Sequence, residues 1–369
     1  MNHKINFYTR KNTNHKFVSS VLCKLLITVF ILQTFLFISC KDNQVSIIDP
    51  STPQVIDSSF FDWKFIRIPN YSAGEIYVAD SNNIFITTAT YVYHYKDSIF
   101  NIIGYSTAED QKIYISGSNE KNVYIGGTGG TPVNSFSKIW HWNGETLVDI
   151  QLPEDTSQSI RSIYIQDESN VWFSTESVIV YHYDGINIKS YNLPARIIDS
   201  KFHIINGVIY LIGNNYFPAE YDLFYSFKFE NDSWKIVTED TVIDNNSVMG
   251  DRFGTAGDDF LREGKNSLFE FTGYSWNKLF DAPQFEYYHS AGYSKQEFLI
   301  YGFDIFSLPT LKMYYYKNGI WYFQSNYWEN IPYGYHEVGL GNFKFVNNVF
   351  YGYFPSYGDT YLIIARYKQ

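Results

Sequence analysis

The chain has 369 residues, with 38 acidic side chains against 28 basic ones and a net charge of −10. Such a balance repels phosphate backbones and anionic head groups, which argues against a nucleic-acid partner. Two cysteines leave no room for a disulfide framework, and 34 Tyr, 31 Phe and 8 Trp supply strand formers suited to filling the gaps between sheets. In chain order, residues 1–39 read as a processed leader rather than part of the fold. Lys4, Arg10, Lys11, Lys16 and Lys24 make it basic, and it holds no acidic residue. Losing those five charges takes the mature chain from −10 to −15. Leu25 to Ile38 is a mostly apolar run of 14 residues, short of the about 20 that a membrane-spanning helix needs.

The leader ends in Phe37-Ile38-Ser39-Cys40. This resembles a bacterial lipobox, with Phe37 in place of the usual leucine. The resemblance implies lipidation of Cys40 by several acyl chains, enough for stable anchoring. Cys23 leaves with the leader, so the mature chain keeps one cysteine at its own N-terminus and forms no internal disulfide. An ordinary signal peptide with a chance cysteine is the other reading. Lys41-Asp42 resembles the short export signal of Bacteroidota-type surface lipoproteins. Lys41 also stands where an inner-membrane retention signal would place Asp, so an outer-membrane location is expected, facing either the periplasm or the cell surface. Residues 40–59, with Pro50, Pro53 and scattered Ser and Asp, read as the lipidated Cys40 plus a flexible tether spanning roughly 25 Å.

Residues 60–369 carry a repeat. Tyr93-His94-Tyr95-Lys96-Asp97 returns as Trp140-His141-Trp142-Asn143-Gly144 and Tyr181-His182-Tyr183-Asp184-Gly185, then more loosely up to Ala365-Arg366-Tyr367. The aromatics before each turn, Tyr95, Trp142, Tyr183, Phe229, Phe271, Tyr316 and Tyr367, stand 47, 41, 46, 42, 45 and 51 residues apart. A period of that size marks a repeat architecture. Each unit offers about four strands, in the third unit Ser162–Gln166, Val171–Ser174, Val178–Tyr183 and Ile186–Tyr191, separated by Asp, Asn and Gly turns. Such a sheet cannot bury both faces alone, whereas radial stacking buries them. The expected fold is therefore all-β: a seven-bladed β-propeller of four-stranded antiparallel sheets. The seventh unit lacks a fourth strand, and Asp62 to Ile68 has the right character to supply it. A strand at about 61–68 is thus expected to close the ring against about 363–367, an open array or two smaller domains being the alternative. The Tyr-His-Tyr-Asp-Gly units resemble degenerate propeller repeats of bacterial exported lipoproteins.

Propeller topology sorts the connections onto two sides. Those after the first and third strands are short and polar, such as Ser81-Asn82-Asn83 and Asn206-Gly207. The others are longer and aromatic, and they nominate Tyr216, Phe217, Tyr327, Trp328, Tyr333, Tyr335, His336 and Tyr357 as ligand-binding candidates. Folding back over the sheet ends as satellite packing is the plainer role for these rings. His94, His141 and His182 recur in register. Stacked sheets lie about 10 Å apart, too far for shared zinc ligands, so a packing role is expected and no metal. Asp258-Asp259 falls on a polar turn. Gly126-Gly127-Thr128-Gly129-Gly130 follows a strand without opening a helix, so it does not make a phosphate-cradling loop. No cofactor is expected. These features point to a cell-envelope lipoprotein acting as a non-catalytic binding or scaffold propeller, engaging a glycan or an envelope protein through its aromatic face. Two alternatives are a polysaccharide-acting glycosidase or lyase, with Glu220, Glu329, Glu337 or Asp359 at the channel mouth, and an accessory subunit of an outer-membrane assembly or secretion complex.

Overall fold

The computed structural model describes residues 55–58, 60–69, 73–131, 134–153, 158–215, 222–242, 253–256, 259–264, 267–281, 286–303, 311–324, 343–356 and 359–368. The chain divides into units 1–52 and 53–369, and all of these residues belong to the second. Cys40 and the leader lie outside them.

Two strands come first, β1 (Val55–Ser58) and β2 (Phe61–Ile68). Sheet one follows as β3 (Ala73–Asp80), β4 (Asn83–Thr88), β5 (Tyr91–Lys96) and β6 (Ile99–Tyr105). Sheet two holds β7 (Asp110–Asn119), β8 (Asn122–Thr131), β9 (Asn134–Trp142) and β10 (Leu147–Ile150). Sheet three holds β11 (Ile160–Asp167), β12 (Asn170–Thr175), β13 (Ile179–Tyr183) and β14 (Ile188–Asn192). Sheet four comprises β15 (Asp199–Ile205), β16 (Val208–Asn215), β17 (Asp222–Glu230) and β18 (Ser233–Val242). Sheet five comprises β19 (Phe253–Ala256), β20 (Asp259–Gly264), β21 (Ser267–Phe271) and β22 (Trp276–Asp281). Sheet six contains β23 (Glu286–Ser294), β24 (Glu297–Phe303), β25 (Leu311–Lys317) and β26 (Ile320–Gln324), with β1 added beside β26. In the remaining sheet β27 (Lys344–Val346), β28 (Val349–Ser356) and β29 (Asp359–Tyr367) are joined by β2.

The expected fold needs correction at two points. The sheets are not uniformly four-stranded and antiparallel. Among the described residues six have that form, while sheet six is five-stranded and mixed, because β1 runs parallel to β26 from Val55 opposite Trp321 to Ser58 opposite Gln324. Nor is the join near the N-terminal strands a single pairing. Segment 55–68 supplies outer strands to two adjacent sheets: β1 on sheet six, and β2 antiparallel to β29 from Phe61 opposite Tyr367 to Ile68 opposite Thr360. The reason lies in β26, whose Ile320-Trp321-Tyr322-Phe323-Gln324 carries no charge. An uncharged open edge invites pairing, and β1 covers it. A smaller difference concerns the fourth strand of sheet three, which starts at Ile188 rather than Ile186. Asp184 Oδ1 accepts the amides of Ile186 and Asn187 at 2.9 and 2.6 Å and so lengthens the turn.

The buried side chains gather into seven clusters among the described residues, each shared by two adjacent sheets. Val92 and Phe85 meet Ile115 and Trp140 between sheets one and two, for example. Tyr93 and Ile84 meet Tyr351 and Leu362 between sheet one and the sheet of β27–β29. Strand alternation sends side chains to both faces, so every sheet is apolar on both sides and needs two neighbours. The seam between sheet six and the sheet of β2 is the most aromatic of these. Phe61 is fully buried there, with Tyr315 at 5.2 Å, Phe350 at 5.4 Å and Tyr367 at 4.8 Å between ring centroids. Phe60 packs edge-on to Tyr322 at 4.7 Å, its amide donates to Gln324 Oε1 at 3.2 Å, and its carbonyl accepts from Lys368 N at 2.9 Å. The hydroxyls of Tyr315 and Tyr367 both donate to Glu297 Oε1, the second at 2.6 Å, and Lys317 lies 3.2 Å from the same oxygen. Burial works against charge on Glu297, but these donors outweigh it and hold the carboxyl below its ordinary pKa.

Candidate functional site

The first strand of each sheet is the inner one. Strand β3 meets β7, β7 meets β11, β11 meets β15, β19 meets β23, β23 meets β27 and β27 meets β3. Tyr210, Ile212 and Phe224 meet Phe271 between sheets four and five. The turns after first and third strands form one side. They are tight, and they place Asp97, Ser98, Asn206, Asn231, Asp232, Asn318, Asn347 and Asn348 at φ of 50 to 66°. Asn and Asp tolerate that left-handed region better than most residues. The connections after second strands and between sheets form the other side. The expected aromatic ligands belong to that class by chain position: Tyr216 and Phe217 follow β16, Tyr327, Trp328, Tyr333, Tyr335 and His336 follow β26, and Tyr357 follows β28. All eight lie outside the described residues, as do Glu220, Glu329, Glu337 and Asp258.

On that second side a cleft of about 250 Å³ opens between sheets one and two, lined by Gly74, Thr88, Ala89, Ser106, Gln111, Lys112 and Ile113. Bulges shape it. The pairing register of β3 shifts between Ala73 and Ile76, and that of β7 shifts between Lys112 and Tyr114. A bulge bends an inner strand and re-aims its side chains. Hydrogen bonds then fix the two strands to each other. Thr87 Oγ1 donates to Ile113 O at 2.6 Å and accepts from Glu75 N at 2.8 Å, while Glu75 Oε2 accepts from Ile115 N at 2.9 Å. Ser106 Oγ accepts from Lys112 N at 3.2 Å.

Lys112 is buried beneath the cleft. Its Nζ donates to Tyr105 O at 2.8 Å and Asp110 Oδ2 at 3.1 Å, and it sits 4.0 Å from the Trp140 ring centroid. Desolvation pushes its pKa down, against the pull of Asp110. Lys138 bridges Asp110 and Asp149, each at 3.3 Å. Burial opposes its charge as well, but the bond to Asp110 outweighs it and its pKa rises.

A second constellation sits at the start of β11. Arg161 is the bulged residue between Ile160 and Ser162. Its guanidinium holds Glu176 through Nε at 3.1 Å and through a second, shorter contact from NH2. NH1 donates to Tyr114 OH at 3.0 Å and lies 3.6 Å from Asp199 Oδ1. These partners come from sheets three, two and four, so one side chain clamps three sheets at the mouth of the axis. Burial opposes the charge, yet Tyr114, Glu176 and Asp199 together raise its pKa above the ordinary arginine value.

The residue-level expectations missed Lys112, Trp140, Arg161 and Tyr114. A signal was present: Lys112 directly precedes Ile113-Tyr114, and Arg161 stands two before Ile163-Tyr164, both basic residues in an acidic chain. What the arrangement offers is a fixed, charge-compensated polar rim. Asp110, Asp149, Glu176 and Asp199 are each ion-paired. Every described carboxyl with a resolved shift (Asp80, Asp184, Glu230, Asp232 and Glu297) moves down. A general acid needs the opposite direction.

The three repeated histidines lie near the turn side. His94, His141 and His182 pair through Nε2 with Asn83, Asn122 and Asn170 Oδ1 at 2.9, 2.7 and 2.8 Å. A carbonyl oxygen only accepts, so Nε2 carries the proton. Each ring stacks on the residue opposite it in register: Phe85 at 4.2 Å, Tyr124 at 4.4 Å and Trp172 at 4.1 Å. Among the described residues no group of three or more His, Cys, Asp or Glu could hold a metal ion. Desolvation depresses all three imidazole pKa values below the ordinary 6.5. The unfolded chain therefore binds protons more readily than the folded one as pH falls through about 6.5. Stability is full above that value and is lost below it. The urea midpoint is expected to drop between about pH 7.5 and 5, with a shallower drop in His94→Gln. An unchanged slope in that variant would remove His94 from the account.

No protein-family model matches the sequence, and no curated protein matches it. Among solved structures, the chain is similar to one described as YCF48 bound to D1 peptide, with 10% identity and a TM-score of 0.59 over 86% of this chain and 100% of that one. It is also similar to YCF48 from Cyanidioschyzon merolae, with 12% identity and a TM-score of 0.56 over 82% and 98% of the two chains. At such identities the likeness shows a shared β-propeller fold.

Proposed function

We propose that the chain is a lipid-anchored, non-catalytic binding propeller of the outer membrane, which holds a segment of an envelope protein against the side formed by the second-strand connections and the links between sheets. The observation that carries the binding part is the cleft between sheets one and two. Its walls are fixed by hydrogen bonds between sheets, and its charges are already neutralised, which suits recognition without reorganisation. One structural neighbour is described as bound to a peptide, which supports a polypeptide ligand over a glycan. The anchor rests on the leader and on Phe37-Ile38-Ser39-Cys40.

A photo-crosslinking residue at Gln111, exposed on the cleft rim, is expected to capture peptides of an envelope protein in cells. The same residue at Tyr274, 72% exposed in the turn after β21, serves as the opposite-side control. Equal capture at both positions would refute a site on the cleft side. Cys40→Ser is expected to move the protein from the membrane fraction to the soluble one. A variant that stays membrane-bound would show that Cys40 is not the anchor.

A further inference from the structure

The outer edges of the sheets differ in one respect. Five of them carry charge: Asp62, Lys64 and Arg67 on β2, Asp149 on β10, Lys189 on β14, Lys235, Glu239 and Asp240 on β18, and Lys278 and Asp281 on β22. Charged side chains are a common device against unwanted strand pairing. Among the described outer strands two lack any charge, β6 and β26. The edge of β26 is covered by β1. Strand β6, Ile99-Phe100-Asn101-Ile102-Ile103-Gly104-Tyr105, ends its sheet with nothing paired beyond it among the described residues. It is also long, and Ile99, Ile102 and Tyr105 are 60%, 46% and 66% exposed.

We infer that β6 is a docking edge that takes an extended segment of a partner polypeptide as an added strand. The chain itself shows the mode, since β1 lies along the other uncharged edge through backbone pairing. Seven residues allow about three or four backbone hydrogen bonds on the open edge. Charge narrows the partner. Exposed Asp97 precedes the strand, exposed Glu109 follows it, and exposed Glu145 lies beside the adjacent strand β10, against two nearby exposed cations, Lys96 and Lys121. The fitting occupant is an apolar, β-branched segment with basic ends. A second copy of this chain fits less well, because each copy carries a net charge of −10. This edge adjoins the cleft only at its end, where Tyr105 O accepts from Lys112 Nζ; Ile99 and Ile102 lie outside the cleft lining, so the inference stands whether or not the cleft binds a ligand.

The test uses the full chain in detergent. The probe is a fluorescent peptide of alternating threonine and valine with two lysines at each end, followed by anisotropy. Saturable binding is expected, weaker at high salt. Ile102→Lys and Ile99→Lys should each reduce affinity at least tenfold while the near-ultraviolet circular dichroism stays native. Methylating alternate peptide amides should abolish binding, and Lys278→Ala on another edge should leave it unchanged. The inference is overturned by absent binding, by native-strength binding to both lysine variants, or by indifference to amide methylation. It is also overturned if sedimentation shows a dimer of the native chain that Ile102→Lys dissociates, because the edge would then serve self-association.

Discussion

Phe61→Ala is expected to cost about 3–5 kcal/mol of unfolding free energy, the range for emptying a buried aromatic site. Phe61 is fully buried, and it touches Trp63 on its own strand, Tyr367 on the adjoining strand, Phe350 one strand further in, and Tyr315 across the seam. Two of these contacts are close to perpendicular, at 86° and 89°, the edge-to-face geometry that adds to area burial. The loss has few routes to collapse, because the neighbours are held elsewhere: Tyr315 and Tyr367 by Glu297, and the adjacent Phe60 by Gln324 and Lys368. Urea unfolding of the purified variant measures the effect. A change below about 1 kcal/mol would mean that the seam is not a principal source of stability.

The second large effect is expected at Gly127. A Cβ there would lie 1.7 Å from the carbonyl oxygen of Gln111 and 2.8 Å from its carbonyl carbon. Both are backbone atoms, so no rotamer change relieves the overlap. The clash arises where β8 faces the bulge of β7, with Gly127 opposite Lys112. Gly127→Ala should therefore reach or exceed the top of the about 1–3 kcal/mol range of overpacking, and it should displace the strand that carries Gln111 and Lys112 into the cleft. Gly207→Ala is the control: φ is +75° but nothing lies within 4 Å, so about 1 kcal/mol of backbone strain is expected. Comparable losses in the two variants would argue against close approach as the reason for the glycine run.

Much of the architecture was legible in the sequence because it is repeated. The aromatic-His-aromatic strands with their polar turns recur, and the turns use Asn, Asp or Gly where the backbone becomes left-handed, Ser98 excepted. The packing role of His94, His141 and His182 was readable from their common register, although the asparagine partners were not. Strand β1 was not legible. Four residues close to Pro50 and Pro53 show no period, and their pairing depends on an edge about 265 residues away. The Arg161 clamp was hidden for another reason. It depends on a bulge and on partners at Tyr114, Glu176 and Asp199 that stand on three different sheets, which no local pattern brings together. The glycine run lies within β8, and the cause at Gly127 is the closeness of β7, which only the assembled sheets show.

The pairing of β2 with β29 joins residues about 300 positions apart. Bringing such distant segments together carries a loop-closure entropy that local hairpins avoid. Each meander of neighbouring strands can form as soon as its own residues are present, but β2 has no partner until β29 has emerged. In the interval β2 exposes Phe61, Trp63 and Phe65. A chain stalled or clipped before β29 would thus present β2 as an open, aromatic strand, which makes that region the place where chaperones or proteases would first distinguish finished molecules from unfinished ones.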